Sequence, residues 1–330
     1  MWILSKLRAG DWVVVRSKAE ILATLDKSGA LDGMPFMPEM LAFCGRRLRV
    51  AAVAHKTCDP AYKTGGRRLD RTVHLEATRC SGAAHGGCEA ECNFFWKDAW
   101  LKPAPTSGNE SVAPAVALTA AESAALPTMK GDCYTCQATE LNRASVRLPW
   151  WNPRQYLLDI STGNHSLKQV SKVLLLSWSR QLLRIPVAHR FWRSVNDWMF
   201  RLLTGRPAPY FDGLVPPGEK TPTAKLDLQP GEWVRVKPVG QIAETLDRNS
   251  KNRGMWFDIE MTMFCEQKFK VHRRVNKIID ERTGKMIEMK NPCITLDGVL
   301  CSGLHSSERL LCPRAITPYW REAWLDRVKE

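Results

Sequence analysis

The sequence predicts an α+β protein: two strand-rich, small-barrel-like domains of similar sequence, arranged in tandem and joined by a helical middle segment. Three observations carry this. The stretch that begins at Leu7 recurs from Leu228, without a gap, as far as Gly82 and Gly303. Within each copy, short β-branched runs are bounded by Gly and Asp turn residues. Between the copies lies a Trp- and Leu-rich stretch with apolar residues at helical spacing.

The register of the internal repeat is fixed by its own residues. LRAGDWVVVR lies over LQPGEWVRVK, EILATLD over QIAETLD, and GMPFMPEMLAFCG over GMWFDIEMTMFCE. Cys44 and Cys80 therefore stand 221 residues before Cys265 and Cys301. After CSG the second copy gains three residues, so Cys88 stands 224 residues before Cys312. The same offset lays FFWKDAWL onto PYWREAWL, Trp96 over Trp320 and Trp100 over Trp324.

Each copy opens with a Gly-Asp or Gly-Glu turn into WVVV or WVRV, a run suited to a strand. Ser17 and Glu20 form a capping-box pattern ahead of EILATLD, with Gly29 as the stop, so a two-turn helix follows. RRLRVAAVAH, TVHLEA, KFKVHRRV and CITLDG supply further strands. The opening resembles that of small five-stranded Src-homology-type barrels. The domain map is then 1–102 for the first Cys-rich copy, 103–128 for a Pro/Ala/Ser-rich linker, 129–212 for the helical segment, 213–224 for a second linker and 225–330 for the second copy.

Three cysteines recur at equivalent places, and they decide the chemistry to look for. The chain has 11 cysteines and a start too short in apolar residues for a secretory leader, which points to a cytoplasmic setting and to metal or redox use of thiols. Cys44, Cys80 and Cys88 with Cys92 or His85 make one four-ligand set, and Cys265, Cys293, Cys301 and Cys312 make another. Zinc suits four thiolates; an iron–sulfur cluster is the alternative, and Cys312-Pro313 resembles the end of some cluster motifs. Trp96 and Trp100, like Trp320 and Trp324, fall at i and i+4, so a helix is expected after the last cysteine with both rings on one face, as core or as an aromatic surface.

The middle segment holds GDCYTCQATEL, whose Cys133 and Cys136 form a C-x-x-C, a candidate redox pair or half of a metal site. Ser166 caps SLKQVSKVLLLSWSRQLLR, with Leu167, Val170, Leu174, Trp178 and Leu182 on an apolar stripe and Lys168, Lys172, Arg180 and Arg184 on the polar side. After Pro186 a second amphipathic helix, carrying Arg190 and Arg193, runs to Gly205. Residues 128–220 carry thirteen Lys or Arg against six Asp or Glu, half of the net +14 of the whole chain. That surplus suits an anionic partner: nucleic acid, a lipid surface or a phosphorylated ligand; a protein partner fits the apolar stripe. Such helices could also hold the protein at the inner membrane surface.

GDCYTCQATEL, PWWNPRQYLLD, FDIEM with its following FC, CITLDGVLCSG and CPRAITPYWREAWL together resemble an uncharacterised bacterial family with tandem Cys-containing repeats ending in (F/Y)W(K/R)(D/E)AWL. The resemblance covers nearly the whole chain. It implies members that accompany genes for sugar-polymer or natural-product assembly, and no catalytic role. G-x-S-x-G, Walker A, G-x-G-x-x-G and H-E-x-x-H are all missing, which argues against a hydrolase or nucleotide enzyme. The function expected is that of a non-catalytic, zinc-stabilised binding or scaffold protein; an iron–sulfur or dithiol redox protein and a peripheral membrane adaptor are the alternatives.

Overall fold

The computed structural model describes residues 2–60, 65–105, 125–183, 189–306 and 309–328. Most of the Pro/Ala/Ser-rich linker, and Arg184, lie outside them. The chain forms two compact units. The first comprises Met1–Val170, Lys277–Ile287 and Glu308–Ala315; the second comprises Ser171–Asn276, Glu288–Ser307 and Ile316–Glu330.

The first unit is built on a five-stranded antiparallel sheet. Its strands are β1 (Trp12–Val15), β2 (Arg47–Val53), β3 (Thr72–Leu75), β4 (Trp96–Lys97) and β5 (Leu101–Pro103), in the order β4-β3-β2-β1-β5. β-Branched alternation makes β1: Val13 and Val15 are fully buried while Trp12 and Val14 are half-buried. Val13 pairs with Leu48 on one side and Pro103 on the other. A register shift between Val50 and Ala52 bends β2 where it meets β3. Helix α1 (Lys18–Leu22) starts at the Ser17 cap with both halves of the capping box formed.

The second unit carries a sheet of the same order. β6 (Trp233–Val236), β7 (Lys268–Arg274), β8 (Cys293–Leu296), β9 (Trp320–Arg321) and β10 (Leu325–Arg327) run β9-β8-β7-β6-β10, and β7 has its own register shift, between Val271 and Arg273. Both cores are closed by one aromatic arrangement. Phe36 meets Trp100 edge to face at 5.1 Å, and Phe257 meets Trp324 at 5.2 Å.

The expected helix over each Trp pair is corrected. Trp96 is in strand β4, Asp98–Trp100 is a single 3₁₀ turn, and Leu101 begins β5; Trp320, Glu322–Trp324 and Leu325 do the same. An i, i+4 spacing places two rings together on a helix, and a strand–turn–strand corner does so as well. All four rings are fully buried, so they are core and present no aromatic surface.

The middle of the chain supplies α2 (Arg154–Ser161), α3 (Leu167–Leu182) and α4 (His189–Thr204); α5 (Val239–Ala243) repeats α1. Ser166 caps α3 as expected, its hydroxyl accepting from the Gln169 amide. The apolar stripe expected on α3 is only partly covered. Leu167 and Trp178 face outward, while Val170, Val173 and Leu176 are buried with Ser177 and Ser179. No helix among the described residues is long and apolar enough to cross a membrane.

Candidate functional site

The loop after β3 is shaped by close backbone contacts. Cys80 donates its amide to the Cys92 carbonyl, and Arg79 bridges Asn93. Gly82 has φ +69°, and a Cβ there would lie 1.9 Å from the Cys88 carbonyl oxygen, so only glycine fits. The amides of His85 and Gly87 both donate to the Gly82 carbonyl. Two turns thus fold Cys80, Cys88 and Cys92 back on one another.

The three thiols line a small cavity of the first unit, about 30 Å³ in volume, and the fourth thiol on its wall is that of Cys136. Met37, Phe94 and Ile279 supply apolar walls. Two of the sulfurs accept backbone amides: Gly82 donates to Cys80 Sγ and Ile279 to Cys88 Sγ, each at 3.3 Å. Burial pushes the Cys136 thiol up to about 11 and the Cys92 thiol up to about 12, and raises Cys80 further. For Cys80, Cys92 and Cys136 burial outweighs the nearby donors and favours the neutral thiol, and a bound cation would reverse that. Among the described residues, no three Cys, His, Asp or Glu side chains are arranged to hold a metal ion as they stand.

His85 also borders this cavity, but both ring nitrogens are engaged. Nδ1 is 2.7 Å from Glu39 Oε1 and Nε2 is 3.0 Å from the Thr135 carbonyl. Burial works to raise the Glu39 carboxyl, and the His85 hydrogen bond holds it below its usual range. Cys44 does not line the cavity; it caps the 3₁₀ turn Pro38–Phe43, and burial raises its thiol to about 11. Cys133 lies outside the cavity wall, on a two-residue ladder opposite Lys130, so the C-x-x-C is split between two settings.

Of the second set, Cys265, Cys293 and Cys301 lie in the second unit on separate segments: at the end of the Ile259–Phe264 turn, at the start of β8, and ahead of the loop that follows. Cys312 lies in the first unit, buried, and hydrogen-bonds Cys58. That bond, with Arg314 beside it, brings the Cys58 thiol down to about 7 against the cost of burial. Arg314 is itself buried and donates to the Cys58 carbonyl at 3.2 Å and to Glu281 at 2.8 Å.

Of the basic residues, Lys168, Arg190 and Arg193 are exposed, Lys172 is half-buried and Arg180 is drawn inward. Arg180 sits 4.7 Å over the Phe200 ring, and burial lowers it to about 10.

Two polar constellations escape the sequence pattern. Glu39 and its counterpart Glu260 each hold the loop that follows the recurring CSG; Glu260 accepts the amides of Leu304, His305 and Ser306 and the Ser302 hydroxyl. Lys56 and Asp159, both buried, meet at 2.5 Å with His55 3.3 Å from the same carboxylate, pinning α2 to the first unit. The signal for the first was Glu at the same repeat position; for the second there was none, because the partners are far apart in sequence. No family model, no curated protein and no solved structure matches the chain.

Proposed function

We propose that the chain is a non-catalytic binding or scaffold protein whose first unit is braced by a four-thiolate zinc centre of Cys80, Cys88, Cys92 and Cys136, with basic surface left for an anionic partner. The observation that carries this is the convergence of four thiols on one cavity with two amide donors on their sulfurs. Amide N–H groups on sulfur favour the thiolate, and Cys88 and Cys92 have the three-residue gap common in zinc pairs. Ligation needs the thiols to rotate from the cavity wall toward its centre. A cavity of about 30 Å³ is large enough for one ion. Cys136, which the sequence offers with Cys133 as a redox pair or half of a metal site, stands where Cys44 is expected.

The two sheets are read as two copies of one partly closed small barrel. Their strand orders agree, and every strand and turn of the first has its counterpart at the repeat offset. Only a 3₁₀ turn separates β4 from β5, which are opposite edges of the sheet. Lys97 to Leu101 spans at most about 14 Å, whereas the edges of a flat five-stranded sheet lie about 19 Å apart. The sheet must therefore curl.

Bound zinc in two single variants tests the ligand set. Cys136→Ser should lose the metal and Cys44→Ser should keep it; loss from both, or from neither, contradicts the assignment. A dithiol redox role is the second reading, and what favours it is the Cys58–Cys312 contact, not the C-x-x-C.

A further inference from the structure

Helix α4 buries Asn196, Met199 and Phe200 and leaves a second row of large apolar side chains open to solvent. Asn196, fully buried, donates from Nδ2 to Ser179 Oγ at 2.6 Å and accepts from the Tyr210 hydroxyl. Arg180 packs on Phe200 and donates to His305 Nδ1 at 3.4 Å, all within the second unit. The outward face instead carries Phe191, Trp198 and Leu202, which are 59%, 63% and 67% exposed. Spaced at i, i+7 and i+11, they form one stripe along the helix. On α3, Leu175 and Trp178 are also open to solvent. Contiguous aromatic surface of this kind is costly in water unless something covers it.

The charges around the stripe say what covers it. Arg190 and Arg201 lie about a quarter turn from it. Asp197, the only carboxylate on α4, is engaged: it pairs with Arg201 at 2.7 Å and accepts the Ala208 amide at 2.9 Å. A helix with Phe, Trp and Leu on one side and arginines on the flank matches an interfacial helix, apolar residues among acyl chains and guanidinium groups at the phosphates. A two-fold contact with a second copy would instead set this cationic flank against itself.

We propose that α4 is a docking element for an anionic lipid surface, inserting Phe191, Trp198 and Leu202 below the headgroups with Arg190 at their level. The inference names the anionic partner left open above, and it does not rest on the thiol centre.

The test is co-sedimentation of the full chain with vesicles of phosphatidylcholine, with and without about one-third phosphatidylglycerol. Binding should require the anionic lipid and weaken at least about tenfold in ~0.5 M salt. The double variant Phe191→Ser/Trp198→Ser should lose binding by about tenfold or more, because hydrophobic insertion contributes directly to affinity. Both side chains are exposed, so its thermal melt and its zinc content should match the parent chain, which separates this result from the fate of the thiol centre. No binding to either vesicle, or unchanged binding by the double variant, overturns the proposal. So does a parent chain that is a dimer in sedimentation and becomes monomeric in the double variant, since the face would then belong to a second copy.

Discussion

At the scale of single residues, the two copies act as controls for each other. His74 lies at the centre of β3, fully buried, with Nδ1 2.8 Å from the Phe94 carbonyl. Its counterpart is Thr295. Burial lowers the His74 imidazole to about 4 from an ordinary 6.5, despite the hydrogen bond. The unfolded chain therefore takes up this proton first as pH falls. The stability His74 contributes is complete above pH 6.5 and is lost by pH 4. The loss is about 3 kcal/mol. Urea melts of the parent and of His74→Thr, the residue the second copy uses, should diverge across that range, the parent falling more steeply. Parallel curves would show that His74 is not the sensor.

At the scale of elements, the match of the sheets includes its imperfections. Trp100 and Trp324 each donate their indole N–H to a threonine, Thr24 and Thr245, at 3.1 and 2.9 Å. Trp96 donates to Thr78 at 3.1 Å, but Val299 stands in the place of Thr78, and the Trp320 indole nitrogen has no partner among the described residues. Val299→Thr should restore the bond, since the Leu296 carbonyl can accept the new hydroxyl as the Leu75 carbonyl does for Thr78. The expected gain is about 1 kcal/mol, read as a higher urea midpoint; a destabilised variant would mean that strand β9 cannot adopt the geometry of β4. Much of this level was legible in the sequence. A constant offset fixed the strand correspondence, and Ser17 with Glu20 fixed the start of α1. What failed has physical causes. The Trp pairs mimic a helix because a strand–turn–strand corner also brings positions four apart together. Helix α2 buries Gln155 and Asp159 where an apolar period would be sought; Gln155 donates to the nearby Pro149 carbonyl, but the partners of Asp159, Lys56 and His55, cannot be found from local sequence. On α3, Leu167 and Trp178 of the apolar stripe stay exposed while Ser177 and Ser179 are buried, and Ser179 hydrogen-bonds the Leu176 carbonyl and Asn196, which hydropathy does not register.

At the scale of the whole molecule, the first unit is not made by the first copy alone. Residues 277–287 and 308–315 of the second copy belong to it, and they bring chemistry: the Ile279 amide on Cys88, and Arg314 against Cys58 and Glu281. Cys136 comes from the middle segment. The candidate centre thus draws on three stretches of chain, which is why a search for four ligands within the first copy finds three of the four and misses Cys136. The exposed face of α4 has a separate role in this account, as the surface through which the unit meets lipid. Metal content per chain after oxygen-free purification, with an absorption spectrum of the same sample, decides whether the four thiols hold a metal. A closed tetrathiolate site requires about one zinc per chain and no visible band. A chain without metal, or one carrying iron and sulfide with a broad visible band, would contradict it.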